Sequence, residues 1–315
     1  MTGEFHARGL PASWLNGWLA AVGAAVLVPD LRLAWTDDAV PLARFELDIG
    51  SDVAEAIAEA LPTLEDLQRL AIARHRPDAP ELPRTATLSA FRSRAELVQS
   101  GVVVAGDRSL EMSVTDLYDL RSEQVPHAPF DPPVPKGVTL YERVVACRKA
   151  VEGLGHASEV VRASLLGRGR RVQNNGLGFD YRRSADSVHA DSERHSDPVV
   201  ETLAFFGLHL FPLRGNGRTK QQPRQRGFTD RASRRHAFRW PCWNEPLDAW
   251  AIDALLDRFH ALGKRRPDNE SEIHWDRQAV ATLRRLGVHG VYGSVYQQPR
   301  GQADSYRAFA SERLR

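Results

Sequence analysis

The chain is poor in cysteine and methionine, with two of each in 315 residues. The two cysteines, Cys147 and Cys242, cannot build a four-cysteine zinc site from one chain. Their scarcity excludes a disulfide framework and fits a protein with reduced thiols in the cytoplasm. Long apolar runs are also missing. The nearest candidate, Trp14 to Val28, has 15 residues including Asn16 and two glycines, and a membrane helix needs about 20. No basic segment leads into an apolar one with a small-residue cleavage site, so neither a secretory leader nor a membrane partner is expected. The signature loops of common chemistries are absent too: no G-x-S-x-G elbow, no phosphate loop ending in Gly-Lys-Ser/Thr, and no G-x-G-x-x-G.

Charge is plentiful but unevenly placed. The chain nets +2, yet Val161 to Trp240 holds 16 Lys/Arg against 7 Asp/Glu, a local +9 that leaves −7 elsewhere. A polyanion responds to local charge density rather than to the average. Within that stretch, Arg214 to Arg239 carries nine Lys/Arg and one acid, Asp230, and eight of the nine are Arg. Arginine grips phosphate with two donors at once and also stacks on bases.

Hydrophobic periodicity predicts an α+β chain of mixed helices and short antiparallel strands, with the arginine-rich segment as a loop insertion. Trp14 to Val28 has helical spacing, with Ser13 as N-cap and Pro29 as stop, and its small residues point to close packing. Leu31 to Trp35 and Leu42 to Leu47 read as a hairpin through Thr36-Asp37-Asp38. Helices are expected over Ser51 to Leu61, Thr63 to Ala73 and Ala86 to Gln99, with a loop at Pro77 to Pro83 and a strand at Val102 to Val104. Val125 to Gly137 holds five prolines and predicts a linker between an N-terminal α+β domain, 1–124, and a C-terminal nucleic-acid-binding domain, 138–315.

Beyond it, Leu140 to Val151 and Ser158 to Leu166 are helical. Asp197-Pro198 starts a helix over Val199 to Leu210. His236 to Trp243 reads as a strand that Pro241 confines to a sheet edge. Helices at Leu247 to Leu262 and Trp275 to Leu286 and a strand at Gly287 to Tyr296 complete the pattern.

Two segments carry candidate contacts to nucleic acid. Gly167 to Gly178 (GRGRRVQNNGLG) has glycines that permit close backbone approach. Arg168, Arg170 and Arg171 offer charge there, and Asn174 and Asn175 offer amide donors and acceptors, a set suited to a sugar-phosphate backbone or a base edge. The second segment is the loop Arg214 to Arg239. Its cations are Arg214, Arg218, Lys220, Arg224, Arg226, Arg231, Arg234, Arg235 and Arg239, interleaved with Phe228, His236, Phe238 and Trp240 as stacking faces. Each segment also reads as a solvated basic turn or loop. His189, Asp191, Glu193, His195 and Asp197 alternate at period two and would share one face of a strand, a metal-site pattern. Their Ser-rich, apolar-poor surroundings favour a solvated loop, so neither metal nor cofactor is expected. Cys147, among Val and Arg on a helix, reads as buried rather than nucleophilic.

Three segments in order carry a family resemblance: G-L-P-A-S-W-L-N-G-W-L-A-A-V-G near the start, S-D-P-V-V-E-T-L-A-F-F-G-L-H-L-F-P from Ser196 to Pro212, and F-R-W-P-C-W-N-E-P-L from Phe238 to Leu247. Asn174 to Asp180 (N-N-G-L-G-F-D) adds a turn. The chain resembles the large-subunit-type proteins of type I-G (formerly I-U) CRISPR systems over these scattered segments, none of them a catalytic signature. The resemblance implies a non-enzymatic subunit of a guide-RNA surveillance complex (Cascade) in antiviral defence. Its partners would be guide RNA, target DNA, and the backbone and guide-end-capping subunits, with a helicase-nuclease recruited in trans. In such recognition base pairing reads sequence, and protein reads backbone shape and a short flanking motif. Two other readings stand beside it: a metal-dependent nuclease or RNA-processing enzyme using His189, Asp191 and His195, and a structural scaffold whose basic loop touches protein.

Overall fold

A computed structural model of the chain describes residues 2–48, 50–69, 85–87, 124–126, 140–174, 176–177, 195–211, 213–214, 224–226, 235–265, 273–297 and 308–314. The fold is α+β. Strand β1 (Thr2–Pro11) leads into helix α1 (Leu15–Leu27), and β2 (Arg32–Trp35) and β3 (Leu42–Asp48) form the expected hairpin. These strands make one antiparallel sheet in the order β1-β3-β2. The β1–β3 register slips between Ala7 and Pro11, around Gly9.

Helix α1 starts one residue later than its sequence predicts. Trp14, with extended backbone (φ −113°, ψ 116°), is the N-cap and supplies no side-chain cap. Ser13 lies in the preceding turn, where its carbonyl accepts the Ser311 hydroxyl. The helix is buried on every side from Leu15 to Ala25. An apolar stripe thus understates its position: a helix apolar all round belongs in the centre of a core.

Helices α2 (Val53–Ala60) and α3 (Leu64–Arg69) follow. Asp52 caps α2 through the Glu55 amide. The short strands β4 (Thr85–Thr87) and β5 (Gln124–Pro126) pair with each other. Ala86 and Thr87 are therefore strand where a helix was expected, and Val125 and Pro126 are strand where a linker was expected. Pro126 sits at the strand's end, where its missing N–H costs least. The rest of the expected helix at 88–99, the loop at 77–83, the strand at 102–104 and the remainder of the proline-rich segment lie outside the described residues.

After α4 (Leu140–Glu152) and α5 (Ala157–Leu165), strand β6 (Val172–Gln173) pairs with β7 (His195–Ser196). Helix α6 (Pro198–Gly207) is capped by Asp197 with Pro198 in its first turn, as its sequence predicts, and runs into a 3-10 turn at Leu208–Leu210. Strands β8 (Leu213–Arg214) and β9 (Arg224–Gln225) pair. Strand β10 (Arg235–Trp243) precedes α7 (Ala249–Leu262), the pair β11 (Lys264–Arg265) and β12 (Ile273–His274), and α8 (Arg277–Arg285). Strands β13 (Val288–Gln297) and β14 (Ala308–Arg313) close a second sheet in the order β10-β13-β14. Pro241 thus lies on an edge strand.

One continuous core draws on both sides of the proline-rich segment. Leu10, Trp18, Leu19 and Phe45 belong to it together with Leu203, Phe205, Trp240 and Trp243. Trp18 is its hub, with ring centroids 5.9 Å from Phe211, 6.5 Å from Phe238 and 6.4 Å from both Trp240 and Trp243. Buried indoles need an acceptor for their N–H, and three of them find carbonyls across the chain. Trp18 Nε1 donates to the Pro241 carbonyl (2.9 Å), Trp240 to Ala12 (2.8 Å) and Trp243 to Leu33 (2.8 Å). Leu33 and Leu247 exchange backbone hydrogen bonds of 2.8 and 3.0 Å, which ties β2 to the segment that follows β10.

Candidate nucleic-acid interface

The Gly/Arg turn after α5 is anchored by backbone geometry. Helix α5 ends in a Schellman arrangement: Arg168 N donates to Ala163 O (2.8 Å) and Gly167 N to Ser164 O (3.0 Å). Gly167, at φ +76°, occupies the left-handed position that such an ending requires. Strand β1 crosses the same point. A Cβ on Gly9 would fall 2.2 Å from Ser164 O and 2.5 Å from Gly167 N, so the crossing tolerates no side chain. The turn then presses on the start of α6, where a Cβ on Gly169 would sit 1.9 Å from the Asp197 carboxylate.

Asp197 caps α6 there. Its Oδ1 accepts from Val199 N (3.0 Å), Val200 N (3.3 Å) and the Ser164 hydroxyl (3.0 Å). Burial pushes its carboxyl up, opposed by these donors and by the charge of Arg171. The N-terminus of α6 is therefore already occupied by a carboxylate, so any phosphate met by this turn would be met by side chains.

A buried polar knot fixes the far end of the turn. Glu201, 1% exposed, accepts from the Asn16 amide (2.7 Å) through one oxygen and from Leu177 N (2.6 Å) through the other. Arg143 donates to Gly176 O (3.1 Å). Sequence reasoning passes over Glu201; its signal is an acid inside the otherwise apolar run P-V-V-E-T-L-A-F-F-G. Cys147 lies beside this knot, and burial, reinforced by the Glu201 charge, pushes its thiol well above the usual range. Cys242 is raised by burial likewise. Both are buried packing residues with free thiols.

Between these anchors Arg168, Arg170 and Arg171 are exposed. Asn174 has a different role from the one expected. It is half-buried, its Oδ1 accepts from Gly176 N (2.9 Å) and its Nδ2 lies 3.6 Å from Cys147 Sγ, so its amide shapes the turn instead of facing a ligand. Asn175 lies outside the described residues.

The second segment divides. Arg226 is 7% exposed and is held by α7: Nη1 lies 2.5 Å from Asp253 Oδ1, and Nη2 2.7 Å from Asp257 Oδ1. Arg239 is 4% exposed, with its guanidinium 5.4 Å from the Trp275 ring centroid. Both were expected as surface contacts and both are buried inside the protein, because acids on α7 and an aromatic face supply their partners. The i,i+4 pair Asp253/Asp257 is the sequence signal for the first. Phe238 and Trp240, expected as stacking faces for bases, are fully buried core residues. Arg214 and Arg224 are opposite one another in the β8–β9 pair, and Arg235 begins β10. Arg218, Lys220, Arg231, Arg234 and Phe228 lie outside the described residues.

Of the period-two metal pattern, His189, Asp191 and Glu193 lie outside the described residues, His195 is exposed on β7, and Asp197 is spent on capping α6. No group of three potential metal ligands occurs among the described residues. None of their helices is long and apolar enough to cross a membrane. Comparison with protein-family models, curated proteins and solved structures gives no match to the chain.

Proposed function

We propose that this chain is a non-catalytic, cytoplasmic subunit of a CRISPR RNA-guided surveillance complex, contacting the sugar-phosphate backbone of guide RNA or target DNA. One observation carries the reading. The turn bearing Arg168, Arg170 and Arg171 has its backbone clamped between Gly9 and Asp197, while all three side chains stay exposed. A rigid backbone presenting several arginines loses little order on meeting phosphates and positions them without reading sequence. The family resemblance supplies the setting: guide RNA, target DNA, the other Cascade subunits and a helicase-nuclease recruited in trans.

The scaffold reading draws on a different observation, the commitment of Arg226 and Arg239 to protein groups. One experiment separates the two. The chain is co-expressed with its neighbouring genes, purified, and its bound RNA sequenced with and without nuclease treatment. Guide-type RNA that stays with the complex, and is depleted on Arg168→Ala/Arg170→Ala/Arg171→Ala, supports nucleic-acid contact. Assembly and RNA content indifferent to that change support the scaffold.

A further inference from the structure

Helix α8 carries three arginines and no acid: R-Q-A-V-A-T-L-R-R. At about 100° per residue, Arg277 and Arg284 lie on one stripe and Gln278 and Arg285 on the next. All four are exposed, while Ala279 and Leu283 are buried on the opposite side. The guanidinium groups of Arg277, Arg284 and Arg285 meet no acidic side chain among the described residues.

A solvated face would explain Arg284 and Arg285, which sit in the last turn and complement the helix dipole. It does not explain Arg277, which stands in the first turn where a cation opposes the dipole. The helix is also held at both ends. Trp275, just before it, packs on Phe259 (5.3 Å) and carries Arg239 on its face. Gly287, just after it at φ +79°, gives its carbonyl to Asn244 N (3.1 Å). The Arg239 contact places α8 beside the end of the basic stretch.

We propose that the exposed face of α8 is a second contact for a phosphodiester backbone, with Arg277, Arg284 and Arg285 as its cations. Arg277 and Arg284 are separated by about 10.5 Å along the helix axis, the rise of about three nucleotides in one DNA strand. The inference rests on the nucleic-acid reading above and adds a surface that reading does not use.

The test measures binding of the purified full chain to a single-stranded RNA and to a DNA duplex across a salt series. Wild type is compared with Arg277→Gln/Arg284→Gln/Arg285→Gln and with the triple lysine variant, each checked by thermal melting. Removing one phosphate contact reduces the log-log salt slope by about 0.9 on duplex or 0.7 on single strands. The glutamine variant is expected to bind with a slope shallower by about 2 to 3 on whichever nucleic acid meets α8, and the lysine variant to keep the wild-type slope. Wild-type binding with an unchanged slope in the glutamine variant on both ligands overturns the α8 contact alone. Absence of wild-type binding at low salt to either ligand overturns it together with the reading it rests on.

Discussion

A Cβ on Gly23 would fall 1.8 Å from the carbonyl oxygen of Leu203. Helices α1 and α6 therefore cross backbone to backbone, and Gly207 repeats the contact from the other side, where a Cβ would lie 2.1 Å from Leu19 O. This crossing joins the N-terminal helix to the helix whose start supports the arginine turn. Gly23→Ala gains about 1 kcal/mol of helix propensity, but the clash is with backbone and cannot be relieved by a rotamer change. A net loss of about 1–3 kcal/mol is expected, as in other overpacked cores. Urea unfolding measures it, and a variant as stable as wild type would refute the close crossing.

The Glu201 knot predicts non-additivity. Glu201→Leu removes the acceptor from the Asn16 amide and from Leu177 N, and each buried donor left without a partner costs about 1–3 kcal/mol. Asn16→Leu alone strips the carboxylate of a donor. The double variant is expected to lose less than the sum of the singles, because the Asn16 amide is no longer stranded. Additive losses in chemical denaturation would argue against the pairing.

Acidification is expected to weaken the fold through His289. Burial holds its pKa below the ordinary 6.5, and the nearby Asp37 only partly opposes this. Below about pH 6.5 the unfolded chain takes up a proton that the folded chain does not, so stability falls as pH drops from 6.5 towards the folded value. Asp52 acts at lower pH. Arg162 holds its carboxyl below 3.8, so its contribution is present above that value and lost as pH falls through the folded one. Asp197, raised by burial, has the opposite sign: its burial costs stability above the raised value, and that cost is relieved as pH falls through the raised value towards 3.8. Melting temperatures at pH 7.5 and 5.5 test the His289 effect: the drop between them should shrink in His289→Leu, and an equal drop would count against the assignment.

The elements with strong local signals were legible in the sequence. Asp197-Pro198 marks a helix start by a cap that the structure makes, and the Thr36-Asp37-Asp38 hairpin follows from alternation on either side; the helices expected from Leu247 and Trp275 begin just after Asp248 and Asp276, whose caps the periodicity does not reveal. Pro241 correctly marks an edge strand. Strands β1 and β14 escape a local reading because their identity depends on distant partners: Phe5 opposite Phe45 in one sheet, Ala310 opposite Val295 in the other. The site was legible only as charge. Sequence distinguishes an arginine from a leucine, but not Arg168, left in solvent by a glycine turn, from Arg226, drawn inward by two acids about thirty residues later.

The central claim is that the Arg168–Arg171 turn contacts a nucleic-acid backbone. Its most direct test is the salt dependence of guide-type RNA binding for wild type and Arg168→Ala/Arg170→Ala/Arg171→Ala. Removal of three single-strand phosphate contacts should make the log-log slope shallower by about 2, with weaker binding at low salt. Identical slopes and affinities for the two proteins would contradict it.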